Sequence, residues 1–417
     1  MDLFTENSLE EEVKSVLAAQ QAKFCIDYIR ENISRYRLRI SPDRIEEILS
    51  ETEEALSSLD FRKLESNIAC IEEQGVILEL LDDSLLNYEK LLPDVQISIN
   101  AAIEKVSPEF ADTLIRKWTT EEIQSQQNEA AFKQRLAQTW QNGLSPIRLI
   151  LNSTFEIGSA YINHFNVENT ASNDHRRIAL SLLHRRGCRT ASETLCLIEN
   201  GFADGAMARW RTLHEIVVVM SVINNGDDSV AKRYLDHAKV DDYKELQRRK
   251  ENELKLGYTS LPVEITEKIE ADYGRVIEKY GKDFSGDWGW AAELAERSFV
   301  RFIDIEKLAD KAHMRYHYKV ANRGIHPASK ALSHHAGAFD APVAGASNMG
   351  LEEPAKHLAI SLAELNHIAL SEDPNIDRAA FILTLSKIRD LAIDELNTIG
   401  DAVFERAIKI KMSGGID

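Results

Sequence analysis

The chain lacks any long hydrophobic run. Its longest nearly apolar stretch extends from Ile216 to Ile223 and is interrupted by Ser221. A helix that crosses a membrane needs roughly 20 apolar residues, so we expect no membrane-spanning segment. The first residues, MDLFTENSLEEE, are acidic and lack the basic and apolar regions of a secretion signal. These absences predict a cytoplasmic protein that does not associate with membranes.

Cysteine is scarce, and its positions do not form a pattern for metal or redox chemistry. No Cys-x-x-Cys pair occurs, which excludes zinc ribbons and thioredoxin-like sites. Cys188 and Cys196 are eight residues apart on one predicted helix, which is too far for a disulfide. We therefore expect buried free thiols, as in a reducing compartment.

The common catalytic signatures are also missing. The chain contains no G-x-S-x-G, Walker A, G-x-G-x-x-G or H-E-x-x-H sequence. Hydrolases with a nucleophile elbow, P-loop enzymes and dinucleotide-binding enzymes are therefore not indicated. The sequence predicts no cofactor, and it leaves open whether the protein is an enzyme.

Helical signals cover most of the chain and predict an all-α fold, a multi-helix bundle with an acidic helical N-terminal region. Residues 1–100 contain 22 acidic and 10 basic side chains, a net charge of −12 out of −18 for the whole chain. Residues 216–219 have the composition of a strand. They continue a helical pattern without a partner strand nearby, however, so we interpret them as the buried end of a core helix. Gly143 and Pro146 are expected to interrupt the helices.

Four segments are predicted along the chain. Residues 1–130 form the acidic helical region, and residues 131–172 form a connecting helix and a linker. Residues 173–335 form a central helical domain. Residues 336–417 comprise a mobile loop rich in Gly, Ala and Pro, followed by helices over residues 353–370 and 376–411 that pack on the central domain.

A helical hairpin at the centre of the chain carries opposite charges on otherwise apolar helices. Antiparallel helices joined by the turn G-F-A-D-G would place Glu193 opposite Arg209 and Arg211. The same alignment would place Glu215 opposite Arg189. Because charged side chains are costly to bury unless they are paired, we predict structural ion pairs between the two helices. The predicted ion-paired residues are Glu193, Arg211, Arg189 and Glu215.

The hairpin also carries a spacing found in RNA-cleaving enzymes. Four residues separate Arg209 from His214, which resembles the R-x(4–6)-H motif of HEPN ribonucleases, a superfamily of small helical bundles. This resemblance implies that Arg209 binds a phosphate and that His214 moves the proton of the attacking 2′-hydroxyl. His326 or Arg211 would assist. Trp210 departs from the motif, which usually has a polar residue directly after the arginine.

A second resemblance covers about residues 175–335. The sequence A-R-W-R-T-L-H-E around Arg211 and the later I-H-P at residues 325–327 are similar to the recurring pattern of a bacterial family. That family consists of all-helical proteins described only as a domain of unknown function. The resemblance implies a helical fold for this region and no established activity.

Histidines cluster towards the end of the central domain. Asp310, His313 and His317 are spaced to share one face of a helix predicted over residues 304–321. This face would align three metal ligands, with His326 or His334 arriving from the next segment. The alternative is that these residues are packing and surface residues, in which case no metal is bound.

Two functions are consistent with these features. The first is a non-catalytic scaffold or sensor that binds another macromolecule, through a protein partner or by self-association. The second is a HEPN-like RNA nuclease of a defence or toxin system. The nuclease requires Arg209 and His214 side by side in a solvent-open groove, whereas a scaffold would bury them in the bundle.

Overall fold

The fold was obtained as a computed structural model. It describes residues 9–36, 41–57, 74–89, 92–168, 174–326, 329, 344–372 and 374–413. These residues form helices and contain no strand, so the all-α prediction is confirmed. The chain divides into two compact units, residues 1–127 and 128–417. Among the described helices, none combines the length and the apolar character needed to span a membrane.

The first unit contains three helices that share a small apolar core, together with the beginning of a long fourth helix. They are α1 (Leu9–Asn32), α2 (Pro42–Ser57), α3 (Gln74–Glu89) and the beginning of α4 (Leu92–Glu168). Helix α1 packs against both α2 and α3. The buried residues at this junction include Ile26 and Ile29 of α1, Leu49 of α2 and Leu80 of α3.

The second unit is organised around the predicted hairpin. Helix α5 (His175–Glu199) begins after Asp174, whose carboxylate accepts a hydrogen bond from the backbone N–H of Arg177 at 2.9 Å and so caps the helix. Gly201 has a φ of 81°, a left-handed conformation that favours glycine. The chain therefore reverses directly into α6 (Ala203–Asn225), which packs along α5.

The remaining helices surround this hairpin. They are α7 (Asp228–Asp236), α8 (Ala238–Leu256), α9 (Val263–Tyr280), α10 (Phe302–Leu308), α11 (Arg315–Ala321), α12 (Glu352–Ser371) and α13 (Ile376–Met412). Helices α12 and α13 pack against each other, and α12 also packs on α5 and α6. The hairpin is therefore covered by helices from much later in the chain.

The second unit contains two large apolar cores. One contains the end of α6, where every residue from 216 to 219 is buried, together with Trp290. The interpretation of this segment as a buried helix end rather than a strand is confirmed. The other core joins the second half of α4 to α5, α12 and α13.

Helix α4 continues through Gly143 and Pro146, so the predicted interruption there is wrong. A β-carbon at Gly143 would lie 2.6 Å from Cδ2 of Leu396, so glycine permits the close approach of α13. Proline costs one helical hydrogen bond. The fully buried side chains of Ile147 and Ile150 anchor this part of α4 in the core and offset that cost.

Three further differences from the sequence-based expectations are local. Asp310 adopts a φ of 54°, and the helix predicted over residues 304–321 is divided there into α10 and α11. Cys196 is exposed rather than buried. Of the loop predicted at the start of 336–417, residues 336–343 lie outside the described residues. Its later part is held in place, because the N–H of Ser347 donates to the carbonyl of Gly201 at 2.9 Å.

Candidate functional site

Glu193 joins the two helices of the hairpin. Its carboxylate accepts a hydrogen bond from Nε of Arg209 in α6 and another from Nε of Arg189, one turn earlier in α5, at 3.1 Å. The side chains of Glu193 and Arg209 are 37% and 36% exposed, so this pair is only partly withdrawn from water. Two guanidinium groups thus share one carboxylate at the surface of the hairpin.

Glu215 pairs with Arg211 of its own helix at 3.0 Å, and not with Arg189 as the alignment of the hairpin had suggested. The reason is that Arg189 and Arg211 each pair with the carboxylate four residues later in their own helix. Tyr318 of α11 completes the group. Its hydroxyl accepts a hydrogen bond from Arg211 at 2.5 Å and donates one to Glu215 at 2.6 Å. Burial, followed by the contact with Glu215, raises the pKa of Tyr318 to about 12.

His214 lies in the interior, where it contacts a buried carboxylate. Its Nε2 is 3.3 Å from Oε1 of Glu306, which is fully buried. Arg315 donates a hydrogen bond to the other oxygen of Glu306 at 2.9 Å. The rings of Trp210 and Tyr318 lie close to the His214 imidazole. The negative charge of Glu306 is therefore paired, and His214 is enclosed by aromatic side chains.

Arg209 and His214 do not lie side by side. Five residues along an α-helix correspond to a rotation of about 140°, so the two side chains leave α6 in different directions. Arg209 contacts Glu193 at the surface, whereas His214 is 2% exposed and contacts Glu306. The structure therefore lacks the solvent-open arginine–histidine pair that a HEPN-like nuclease built on these residues requires.

The other predicted site residues are exposed and separate. His326 lies on the surface beyond α11, where its backbone N–H donates to the carbonyl of Asn322 at 3.0 Å. Asp310 and His313 are exposed in the segment between α10 and α11, and His334 lies outside the described residues. The division of the predicted helix removes the shared face that was expected to align Asp310 with His313 and His317.

His317 instead meets two residues of α12 that the sequence analysis had not selected. Nε2 of His357 lies 3.0 Å from Nδ1 of His317 and 3.4 Å from Oε2 of Glu353. Burial, together with the neighbouring His357, lowers the pKa of His317. The contact with His357, and next that with Lys356, lowers the pKa of Glu353 to about 2. The spacing of Glu353 and His357 in α12 is visible in the sequence. The neighbouring sequence does not indicate, however, that His317 packs against them.

A pocket of about 550 Å³ lies between the second half of α4 and α5. Phe155 and Gly158 of α4 form one wall. The side chains of His184 and Cys188, one turn apart in α5, lie opposite and are almost fully buried. This is the concave, largely apolar shape that small-molecule sites usually have.

The two titratable groups at the base of the pocket are uncharged at neutral pH. Nδ1 of His184 lies 3.5 Å from Sγ of Cys188. Burial lowers the pKa of His184 to about 4, against a smaller opposite effect of the Asn366 amide. Burial also raises the pKa of the Cys188 thiol to about 11. Because the thiolate is the reactive form of cysteine, this pair is a poor nucleophile and base.

Positive charge is concentrated at the rim of the same pocket. Arg185 and Arg189 both line it, with Glu193 beside them. Arg189 contacts Glu193, which is shared with Arg209. Arg185 makes no hydrogen bond or ion pair with another described residue and is exposed. The rim therefore offers guanidinium donors above an uncharged base.

In a comparison with known proteins, the central part of the chain matches one family model. Residues 177–342 match the model of a family described as a family of unknown function (DUF5677). The match covers less than half of the chain and includes α5 from Arg177 onwards and all of α6. Neither the curated proteins nor the solved structures contain a significant match to the chain. The predicted resemblance of this region to a domain of unknown function is thus confirmed, and no activity comes with it.

Proposed function

We propose that the protein is a non-catalytic sensor that binds a small amphipathic anion in the pocket between α4 and α5. The observation that carries this proposal is the combination of an apolar, uncharged base with an arginine rim in one pocket of about 550 Å³. An apolar body would occupy the base beside Phe155 and Cys188. A carboxylate, sulfonate or phosphate head group would meet Arg185 and Arg189.

The neutral forms of His184 and Cys188 favour binding over catalysis. A general base works best with a pKa near the operating pH, and the pKa of His184 is about 4. Cys188, with a pKa of about 11, carries almost no thiolate at neutral pH. The two side chains therefore act as an uncharged surface for an apolar group.

Glu193 connects the rim of the pocket with α6, the second helix of the hairpin. Glu193 holds Arg189 and also Arg209 of α6. An anionic head group that binds Arg189 would compete with Glu193 for that guanidinium. Occupation of the pocket would then alter the contact that joins α5 to α6, which is the property that a sensor needs.

A fluorescence experiment tests this function. The purified chain is titrated with 1-anilinonaphthalene-8-sulfonate, which has an aromatic body and one sulfonate, and the probe is then displaced with decanoate. We expect saturable binding of one probe per chain and displacement by decanoate, with much weaker displacement by the uncharged 1-decanol.

Variants of the pocket make the experiment specific. Arg185→Gln should weaken probe binding about tenfold, which corresponds to one charge-assisted hydrogen bond. Ser192→Trp should abolish binding, because Ser192 lines the pocket and tryptophan would fill it. Arg186→Gln is the matched control, because Arg186 is the exposed neighbour of Arg185 and does not line the pocket. Equal affinity in all three variants, or no saturable binding by the wild type, would refute the proposal.

A further inference from the structure

The second unit contains a group of metal-ligating side chains away from the pocket. Glu353 and His357 are four residues apart and therefore share one face of α12. His317 of α11 approaches the same face. One potential ligand atom from each of the three residues lies within 4.8 Å of the other two.

Two of the three distances between these atoms are close to those around a tetrahedral metal ion. Zinc binds histidine nitrogen at about 2.0–2.1 Å and carboxylate oxygen at about 2.0–2.2 Å, so neighbouring ligand atoms are about 3.4 Å apart. Nε2 of His357 lies 3.0 Å from Nδ1 of His317 and 3.4 Å from Oε2 of Glu353. The remaining distance can shorten by side-chain rotation, because the side chain of Glu353 is 46% exposed.

Neighbouring residues hold the ligand atoms in this orientation. The ring of His357 stacks on Trp210 with centroids 4.5 Å apart and an interplanar angle of 24°. The indole N–H of Trp210 donates to Ser361 at 3.0 Å, which orients the indole. Lys356 pairs with Oε1 of Glu353 at 2.5 Å and leaves Oε2 directed at His357. These contacts orient the ring of His357 and the carboxylate of Glu353.

We infer that His317, Glu353 and His357 form a binding site for a divalent transition metal of the zinc type. Two imidazoles and one carboxylate are a ligand set that suits zinc. Three protein ligands leave the fourth tetrahedral position open. The exposed side of Glu353 allows water, or a side chain of a binding partner, to fill it. This site differs from the Asp310, His313 and His317 set that the sequence suggested and is independent of the pocket.

The test uses cobalt as a spectroscopic substitute for zinc. The full chain is freed of metal with a chelator and titrated with Co²⁺, and the visible absorption typical of tetrahedral cobalt is followed. Zn²⁺ is then added to displace the cobalt. We expect one equivalent of Co²⁺ to bind with this absorption and to be released by Zn²⁺.

Single substitutions distinguish the site from adventitious binding. His317→Ala and Glu353→Gln should each weaken Zn²⁺ binding by at least about tenfold, since losing even an outer-shell partner costs about 10- to 100-fold. His317 and Glu353 are only partly buried, so these variants are expected to fold, and circular dichroism checks this. His367→Ala is the control, because His367 is exposed on the same helix and lies outside the group. No tetrahedral cobalt spectrum in the wild type, or equal Zn²⁺ affinity in His317→Ala and His367→Ala, would overturn the inference.

Discussion

Mild acid is expected to destabilise the unit formed by residues 128–417 through His184. The pKa of this side chain is about 4 in the fold, against an ordinary value of 6.5. The unfolded chain therefore takes up a proton at a higher pH than the folded protein does. The stabilising effect of the neutral side chain is fully present above pH 6.5 and is lost as the pH falls from 6.5 towards 4.

The size of the effect follows from the shift in the pKa. One pKa unit corresponds to about 1.4 kcal/mol of differential interaction between the two protonation states. Integration over the titration gives a loss of about 2 kcal/mol between pH 7 and pH 5, and of about 3 kcal/mol by pH 4. Because His184 is 2% exposed, solvent screening reduces this figure little.

Urea unfolding at a series of pH values measures this loss. Tryptophan fluorescence is a suitable signal, because Trp140, Trp210 and Trp290 are fully buried in this unit. Other titrating groups also respond to pH, so the comparison is with His184→Gln, which should lose about 2 kcal/mol less than the wild type between pH 7 and pH 5. His367→Gln, at an exposed position on α12, should behave like the wild type. The same pH dependence in the wild type and His184→Gln would refute the reasoning.

Two further predictions concern packing and charge in the second unit. A β-carbon at Gly289 would lie 2.2 Å from a backbone oxygen, so Gly289→Ala should lower the free energy of unfolding by about 2 kcal/mol. A β-carbon at Gly274 in α9 would meet open space, so Gly274→Ala should instead raise the free energy of unfolding by about 0.5–1 kcal/mol. Thermal unfolding measures both variants, and a change of the melting temperature in the same direction for both would contradict this prediction. A double-mutant cycle with Glu193→Ala and Arg209→Ala should give a coupling of about 0.5–1 kcal/mol, because the pair is partly exposed. Additive effects of the two substitutions would show that the contact contributes nothing.

Local patterns predicted the helices well where the signals lie within one helix. Helices predicted over residues 353–370 and 376–411 correspond closely to α12 and α13. The reversal between α5 and α6 was also predictable, because Gly201 marks a turn that needs a left-handed residue. Such features depend on hydrophobic period, capping and backbone conformation, which are properties of short segments.

Predictions that depended on contacts between helices were less accurate. Gly143 suggested a helix end, but it allows α13 to pack closely against α4. Glu215 was expected to cross the hairpin to Arg189, yet it bonds to Arg211 and Tyr318. In both cases the outcome depends on which helix packs against the residue. That information is not contained in the neighbouring sequence.

The amino-acid sequence alone determined the all-helical architecture, the central hairpin and the placing of charged residues on apolar helices. The tertiary structure decided which of those residues meet. It separated Arg209 from His214 and brought His317 to Glu353 and His357. It also closed a pocket around His184. The physical reason is that side-chain encounters depend on the rotation and crossing of packed helices, which are set by the whole core.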